Sequence, residues 1–139
     1  MSKVLFDVNV VLDILLDRQP HAEASEAAFA AAETGKAEGF LAAHAVTTIH
    51  YLVRREMSAA RAQRLIRDML RVLSIASVDE AVIQEALQLS CPDFENAVTA
   101  AAARQAGCDY IATRDGVGFR GSSVRPLTPE VLVSILAKA

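Results

Sequence analysis

Apolar positions along this chain recur in two alternating rhythms. Val4-Leu5-Phe6 is a short apolar run stopped by Asp7, the pattern of a buried strand, and Val10, Val11, Ile14 and Leu15 follow at helical spacing. His21 to about Lys36 reads as an alanine-rich amphipathic helix ended by Gly35. Gly39 to Ala42 is a second strand candidate, followed by a helix from about Ala45 to Glu56. Ser58 suits the N-cap of the next helix, which is expected to turn Leu65, Ile66, Met69 and Leu70 inward. A third strand lies within Val72 to Val78, and Asp79 caps a helix ending near Leu89. Pro92 stands where another helix begins, with Asp93 and Glu95 in its first turn and Gly107 as its stop. Tyr110-Ile111-Ala112 reads as a fourth strand, Val124 to Leu127 as a short edge strand, and Thr128 as the cap of a final helix.

Strands alternating with helices predict an α/β fold with a mainly parallel sheet covered on both faces. No repeat, charge block or Gly/Ser linker divides the 139 residues, so residues 1–139 are expected to form a single domain. The functional crevice of such a sheet lies beyond the carboxyl ends of its strands. The acids that follow strands are therefore the first place to look for chemistry.

Composition narrows the picture. Hydrophobic residues reach 53%, but aromatics only 5%, which suits alanine-rich helices packed closely on a sheet and not an all-β sandwich. A net charge of −3 argues against a broad basic surface as the source of nucleic-acid affinity. It leaves room for a nuclease whose acidic cleft holds metal ions that meet the phosphate. Cys91 and Cys108 lack any paired Cys/His spacing and read as two reduced thiols. The N-terminus meets Asp7 too early for a signal peptide, and no apolar run is long enough for a membrane span. A soluble, cytoplasmic protein with no membrane partner is expected.

Asp7 follows the first strand, Asp115 follows the fourth within Thr113-Arg114-Asp115-Gly116, and Asp93, Glu95 and Asn96 open the helix between. Each acid alone has a plain structural reading. Asp7 can cap a helix, Asp93 and Glu95 can favour a helix dipole, and Asp115 can sit in a turn. Should the first and fourth strands be neighbours, however, all would converge on one crevice. Carboxylates held together repel unless a cation compensates them, and Mg²⁺ or Mn²⁺ takes oxygen ligands. Spacing by itself indicates an oxygen-ligand metal site and nothing finer.

The run Val4-Leu5-Phe6-Asp7-Val8-Asn9-Val10-Val11-Leu12-Asp13 resembles the opening of a PIN domain. Asp93-Phe94-Glu95-Asn96-Ala97-Val98, then Ala103 and Gly107 through Asp115, resemble its second half, with Phe119 to Ser122 and the last strand and helix matching its tail. The likeness runs over essentially the whole chain, in order. It implies a three-layer α/β/α sandwich and a Mg²⁺- or Mn²⁺-dependent ribonuclease of the VapC-like toxin kind. It also implies an RNA substrate, an antitoxin protein as partner, and assembly as a homodimer. On this reading Asp7, Asp93, Glu95 and Asp115 are the catalytic and metal-binding acids. Asn9, Asn96, Thr113 and Arg114 contact substrate or orient the acids. Two positions depart from the family pattern: His44 to His50 carries no acid where a Glu is common, and Asn96 stands where an Asp is common. They motivate a second reading, a PIN fold with an eroded metal site that binds RNA or protein without cutting.

Other signals are weaker. Asp7-Val8-Asn9 lacks the second acid of a dehalogenase-like phosphatase, and no lysine is placed to serve one. His44 and His50 flank a helix and read first as packed or surface residues, His44 being the nearer to a strand end. Arg54, Arg55, Arg61, Arg64, Arg67 and Arg71 crowd the middle third, the last four at spacings that share one helix face. That face is either simply solvated or a stripe for RNA phosphates or an acidic partner.

Overall fold

The computed structural model describes residues 1–138; Ala139 lies outside the described residues. Five strands, β1 (Ser2–Phe6), β2 (Ala37–Ala42), β3 (Leu73–Ala76), β4 (Tyr110–Ala112) and β5 (Arg125–Leu127), form one sheet in the order β3-β2-β1-β4-β5. Every pairing is parallel, with β5 on the edge beside β4. The helices are α1 (Val8–Leu15), α2 (Ala22–Glu33), α3 (Ala45–Glu56), α4 (Ala59–Met69), α5 (Glu80–Ala86), α6 (Phe94–Gln105) and α7 (Pro129–Ala137). Helices α1, α2, α3 and α7 pack on one another in one layer, with α4 against α3, while α5 and α6 form the other. The result is a three-layer α/β/α sandwich. Among the described residues no helix is long and apolar enough to cross a membrane.

Why these segments fold this way is largely local. Val4, Leu5 and Phe6 are buried because β1 is the central strand, covered on both faces. Helix starts carry side-chain caps: Ser58 accepts from the Arg61 N–H, Asp79 from that of Val82 and Thr128 from that of Val131. Gly107 ends α6 with φ +78°, a conformation costly for any residue with a Cβ. Helix α6 is buried from Ala97 through Ala103, lying between the sheet and α5. Its alanines let backbone approach backbone, which explains a core so poor in aromatic rings.

Several sequence-based boundaries move. The second helix is Ala22–Glu33, shorter at both ends than His21 to Lys36, and α5 stops at Ala86 instead of near Leu89. Pro92 stands outside α6, because Asp93 takes the N-cap. Leu70, the C-cap residue of α4, is exposed at the edge of the buried stripe of Ala62 and Met69; Leu65 and Ile66 are half-buried. The edge strand begins at Arg125, one residue later than expected.

The strand order fixes where a site can form. The chain lays down β1, β2 and β3 in one direction, then returns across β1 to add β4 and β5 on its other side. Strands β1 and β4 therefore flank the topological switch point, where the connections after them leave on opposite sides and open a crevice.

Candidate metal centre

Asp7 leaves β1 at this switch point. Its backbone N–H still pairs with the Ala112 carbonyl of β4, at 2.9 Å. One carboxylate oxygen, Oδ1, caps α1 by accepting from the Val8 N–H at 2.8 Å; the other, Oδ2, accepts from the Thr113 hydroxyl at 2.7 Å. The capping role and the crevice role thus fall on different oxygens of one side chain. The residue is 7% exposed. Burial pushes its carboxyl above the usual carboxylate range. The hydrogen bonds from Thr113 and Val8 pull it down, and the charges of Asp115 and Glu95 add to the push.

Thr113 directly follows β4 and is buried. Its hydroxyl donates to Asp7 and accepts from the Asp115 N–H at 3.0 Å, so one oxygen ties the two strand-end acids together. Asp115 is exposed in the turn beyond. Its Oδ1 accepts from the Gly118 N–H at 2.9 Å, and its Oδ2 accepts from the Asn96 side-chain amide at 3.3 Å. A side chain at position 118 would run into that carboxylate and that amide, so the turn needs glycine there for space. Sequence reasoning passed over Gly118; the Asp115-Gly116-Val117-Gly118 spacing was its only signal.

At the start of α6 the two acids separate. Asp93 commits Oδ1 to the helix cap, accepting from the Glu95 and Asn96 N–H groups at 2.8 and 3.4 Å. Glu95 is the acid whose charge bears on Asp7. Across from it, where β2 gives way to α3, the His44 Nε2 lies 3.2 Å from the Thr99 hydroxyl, which donates to the Glu95 carbonyl at 3.0 Å. The Thr99 proton being used there, the imidazole is the donor of this pair, and its buried Nδ1 has no partner among the described residues. Burial holds the ring below its usual pKa range, against the pull of Glu95. His44, first read as a packing residue, is thus a neutral wall of the crevice.

The remaining two predicted residues brace the site from α1. Asn9 accepts from the Arg114 N–H at 3.5 Å. Arg114 meets Asp13 in a two-point pair, Nε to Oδ2 at 2.7 Å and Nη2 to Oδ1 at 3.0 Å, and Ser25 adds a hydroxyl to Asp13 at 3.1 Å. Asp13 was assigned no role from the sequence. Its signal was a position four residues after Asn9, hence on the same face of α1.

Asp7, Glu95 and Asp115 have no lysine or arginine partner, since the ion pairs among the described residues are Arg55–Glu56, Arg104–Glu85 and Arg114–Asp13. Three acids gathered without a cation, joined by Asn96, are all hard oxygen donors of the type Mg²⁺ and Mn²⁺ take. Among the described residues no three His, Cys, Asp or Glu side chains stand close enough to cage a metal by themselves. That accords with Mg²⁺, which keeps several waters and binds one or two carboxylates together with substrate phosphate. The cysteines take no part: both are free thiols, and burial with the neighbouring Asp109 charge pushes Cys108 up to about 12.

The sequence model of the PIN domain matches residues 3–116, from the start of β1 to just past Asp115. Ribonuclease VapC1 of Aquifex aeolicus (strain VF5) is 24% identical over 134 residues, covering 93% of this chain and 92% of that protein. Among solved structures, FitAcB from Neisseria gonorrhoeae shares the fold with a TM-score of 0.72 at 23% identity, over 91% of this chain and 97% of that one. VapBC2 from Rickettsia felis, bound to a DNA fragment from their promoter, gives the same TM-score of 0.72 at 10% identity, over 91% and 98%.

Proposed function

The chain belongs to the PIN domain family, and on that footing we propose that it is a Mg²⁺- or Mn²⁺-dependent endoribonuclease, the toxin of a cytoplasmic toxin–antitoxin pair. Its substrate is single-stranded or structured RNA; an antitoxin protein and a second copy of the chain are its partners. The observation that carries this reading is Asp7, a buried carboxylate facing two more acids with no cationic side chain beside it. The ribonuclease among its relatives supports the same reading.

Asp7 and Asp115 would hold the cation, with Glu95 as the third acid, while Asp93, whose Oδ1 caps α6, would have only Oδ2 to offer. When bound, the divalent ion supplies positive charge against the phosphate and makes water more acidic. The chain's own groups supply the order. Thr113 fixes the non-capping oxygen of Asp7, the Gly118 N–H and the Asn96 amide fix the two oxygens of Asp115, and the Asp13–Arg114 pair holds the intervening backbone to α1. Hydrolysis would join a water oxygen to phosphorus and break the bond to the leaving ribose oxygen; the exposed Glu95 would take the proton that water sheds, and solvent would protonate the leaving oxygen.

A second reading is favoured by one observation. Asn96 brings an uncharged amide to Asp115, as in a binding module that has lost catalysis. One experiment separates the two. Purified protein is expected to cut single-stranded RNA with Mg²⁺ or Mn²⁺ and to stop in EDTA. Asp7→Asn should lower the rate by more than about a hundredfold. RNA binding without cleavage in either metal would establish the non-catalytic reading, and equal cleavage in EDTA would overturn the metal mechanism.

A further inference from the structure

The chain is acidic overall, yet one segment is not. Six arginines against Glu56 and Asp68 give residues 54–71 a net charge of +4, leaving −7 on the remainder of a chain that totals −3. Arg61, Arg64, Arg67 and Arg71 are exposed and belong to no ion pair among the described residues. At about 100° per residue, Arg64 and Arg67 lie about 60° apart on the side of α4 opposite buried Ala62 and Met69, with Arg61 on its flank, and Arg71 stands in the turn two residues past the end of the helix. Helix α4 packs on α3, which springs from His44 at the crevice wall and is about 18 Å long.

We propose that this arginine face of α4 is a track for the phosphate backbone of the RNA, outside the crevice. The inference rests on the ribonuclease reading above. A polyanion approaching Asp7, Glu95 and Asp115 meets repulsion, and the one arginine bracing that site, Arg114, is already committed to Asp13. A bound ion would meet only the phosphate being cut, so attraction for the rest of the strand must come from elsewhere, and arginine forks suit phosphate oxygens. The face is polar, with Gln63 and Asp68 among the arginines and Leu70 at its margin, so it lacks the apolar anchors on which a protein interface depends. Backbone tracking requires only the charges. On the neighbouring α3, the exposed ring of Tyr51 lies under the Arg55 guanidinium, 5.8 Å from its centroid, and offers a surface on which a base can stack.

The test compares wild type with the triple variant Arg64→Ala, Arg67→Ala, Arg71→Ala and with the matching lysine triple, using single-stranded RNA and Mn²⁺. The alanine triple should raise KM roughly tenfold with kcat unchanged, and should flatten the plot of log affinity against log salt by about 2, near 0.7 for each phosphate left without its arginine. The lysine triple should restore the slope. Cleavage by wild type with the same KM and slope in the alanine triple overturns the track and leaves the ribonuclease reading standing. No cleavage and no RNA binding by wild type overturns that reading, and the track with it. Should the triple cut RNA normally but lose binding of poly-glutamate that wild type holds, the face serves an acidic protein partner and the RNA track is wrong.

Discussion

Helix α1 carries one buried carboxylate, Asp13, and is capped by another, Asp7, and the two are buried in opposite ways. Asp13 is wholly covered and meets a two-point arginine together with a serine hydroxyl. Asp7 is nearly as covered, yet it meets a hydroxyl, one backbone N–H and the charges of two more acids. A buried charge has to be compensated. For Asp13 the compensation is built into the chain and the result is architecture, a clamp between α1 and the segment after β4. For Asp7 no cationic side chain supplies the compensation, and burial holds the acid above its ordinary pKa range; on the function proposed above, the cation would come from outside. The same residue type on the same helix is a brace at one end and a site at the other, and the difference lies entirely in which partner the fold delivers.

Breaking the brace should have the largest effect. Asp13→Asn removes the charge that Arg114 was folded to meet. Because Arg114 remains partly exposed, the loss should fall at the low end for such pairs, about 3 kcal/mol, or a melting temperature lower by roughly 10 °C. Asp7→Asn should leave melting unchanged or slightly raised in the absence of metal. It keeps an oxygen for the cap while removing a charge that burial and its neighbours oppose. Calorimetric melts of both variants in EDTA check the contrast, and a similar drop for each would erase it. Replacing the whole clamp, Asp13→Leu with Arg114→Met, should recover most of the stability but not the cleavage rate, since only the 3.5 Å bond from the backbone N–H of residue 114 to Asn9 would then tie the segment bearing Asp115 to α1.

A smaller change sharpens the site end. Thr113→Val keeps the shape of β4 but deletes the hydroxyl that donates to Asp7 and accepts from the Asp115 N–H. Metal affinity is expected to fall by about 10- to 100-fold, the range for lost orienting partners. Titration of Mn²⁺ into both proteins measures it, and equal affinities would mean that the hydroxyl serves packing alone.

The contrast between Asp7 and Asp13 also marks how far the sequence could be read. Caps at Ser58, Asp79 and Thr128, the glycine stop at Gly107 and the buried run at Val4 to Phe6 are local devices, so the order of strands and helices was legible in advance. Positions of Asp7 and Asp115 after their strands followed from the same local reading. What was not legible depends on partners far along the chain. Asp13 and Arg114 are 101 residues apart, and nothing local says that one clamps the other. The split between Asp93 as a cap and Glu95 as a neighbour of Asp7 turns on a single helical rotation at the start of α6, which composition cannot set. Gly118 and His44 gained their places only when β2, β4 and α6 came together.

The gentlest test lies at Asn96, where the site shows its least usual group. Its amide donates to an Asp115 oxygen at 3.3 Å, so it neutralises repulsion that an acid in its place would create. Asn96→Asp sets two carboxylates at that spacing with no proton between them. Without metal the variant should be less stable, by a few degrees in melting temperature, because like charges then face each other across the crevice. With metal the sign reverses: an added anionic oxygen strengthens attraction to a divalent ion, and whatever binds the folded state more tightly raises its apparent stability further. Melts in EDTA and in Mn²⁺ should therefore show a wider gap for the variant than for wild type. An unchanged gap would mean that position 96 only orients Asp115, and that Glu95 or Asp93 is the residue opening α6 that reaches the cation.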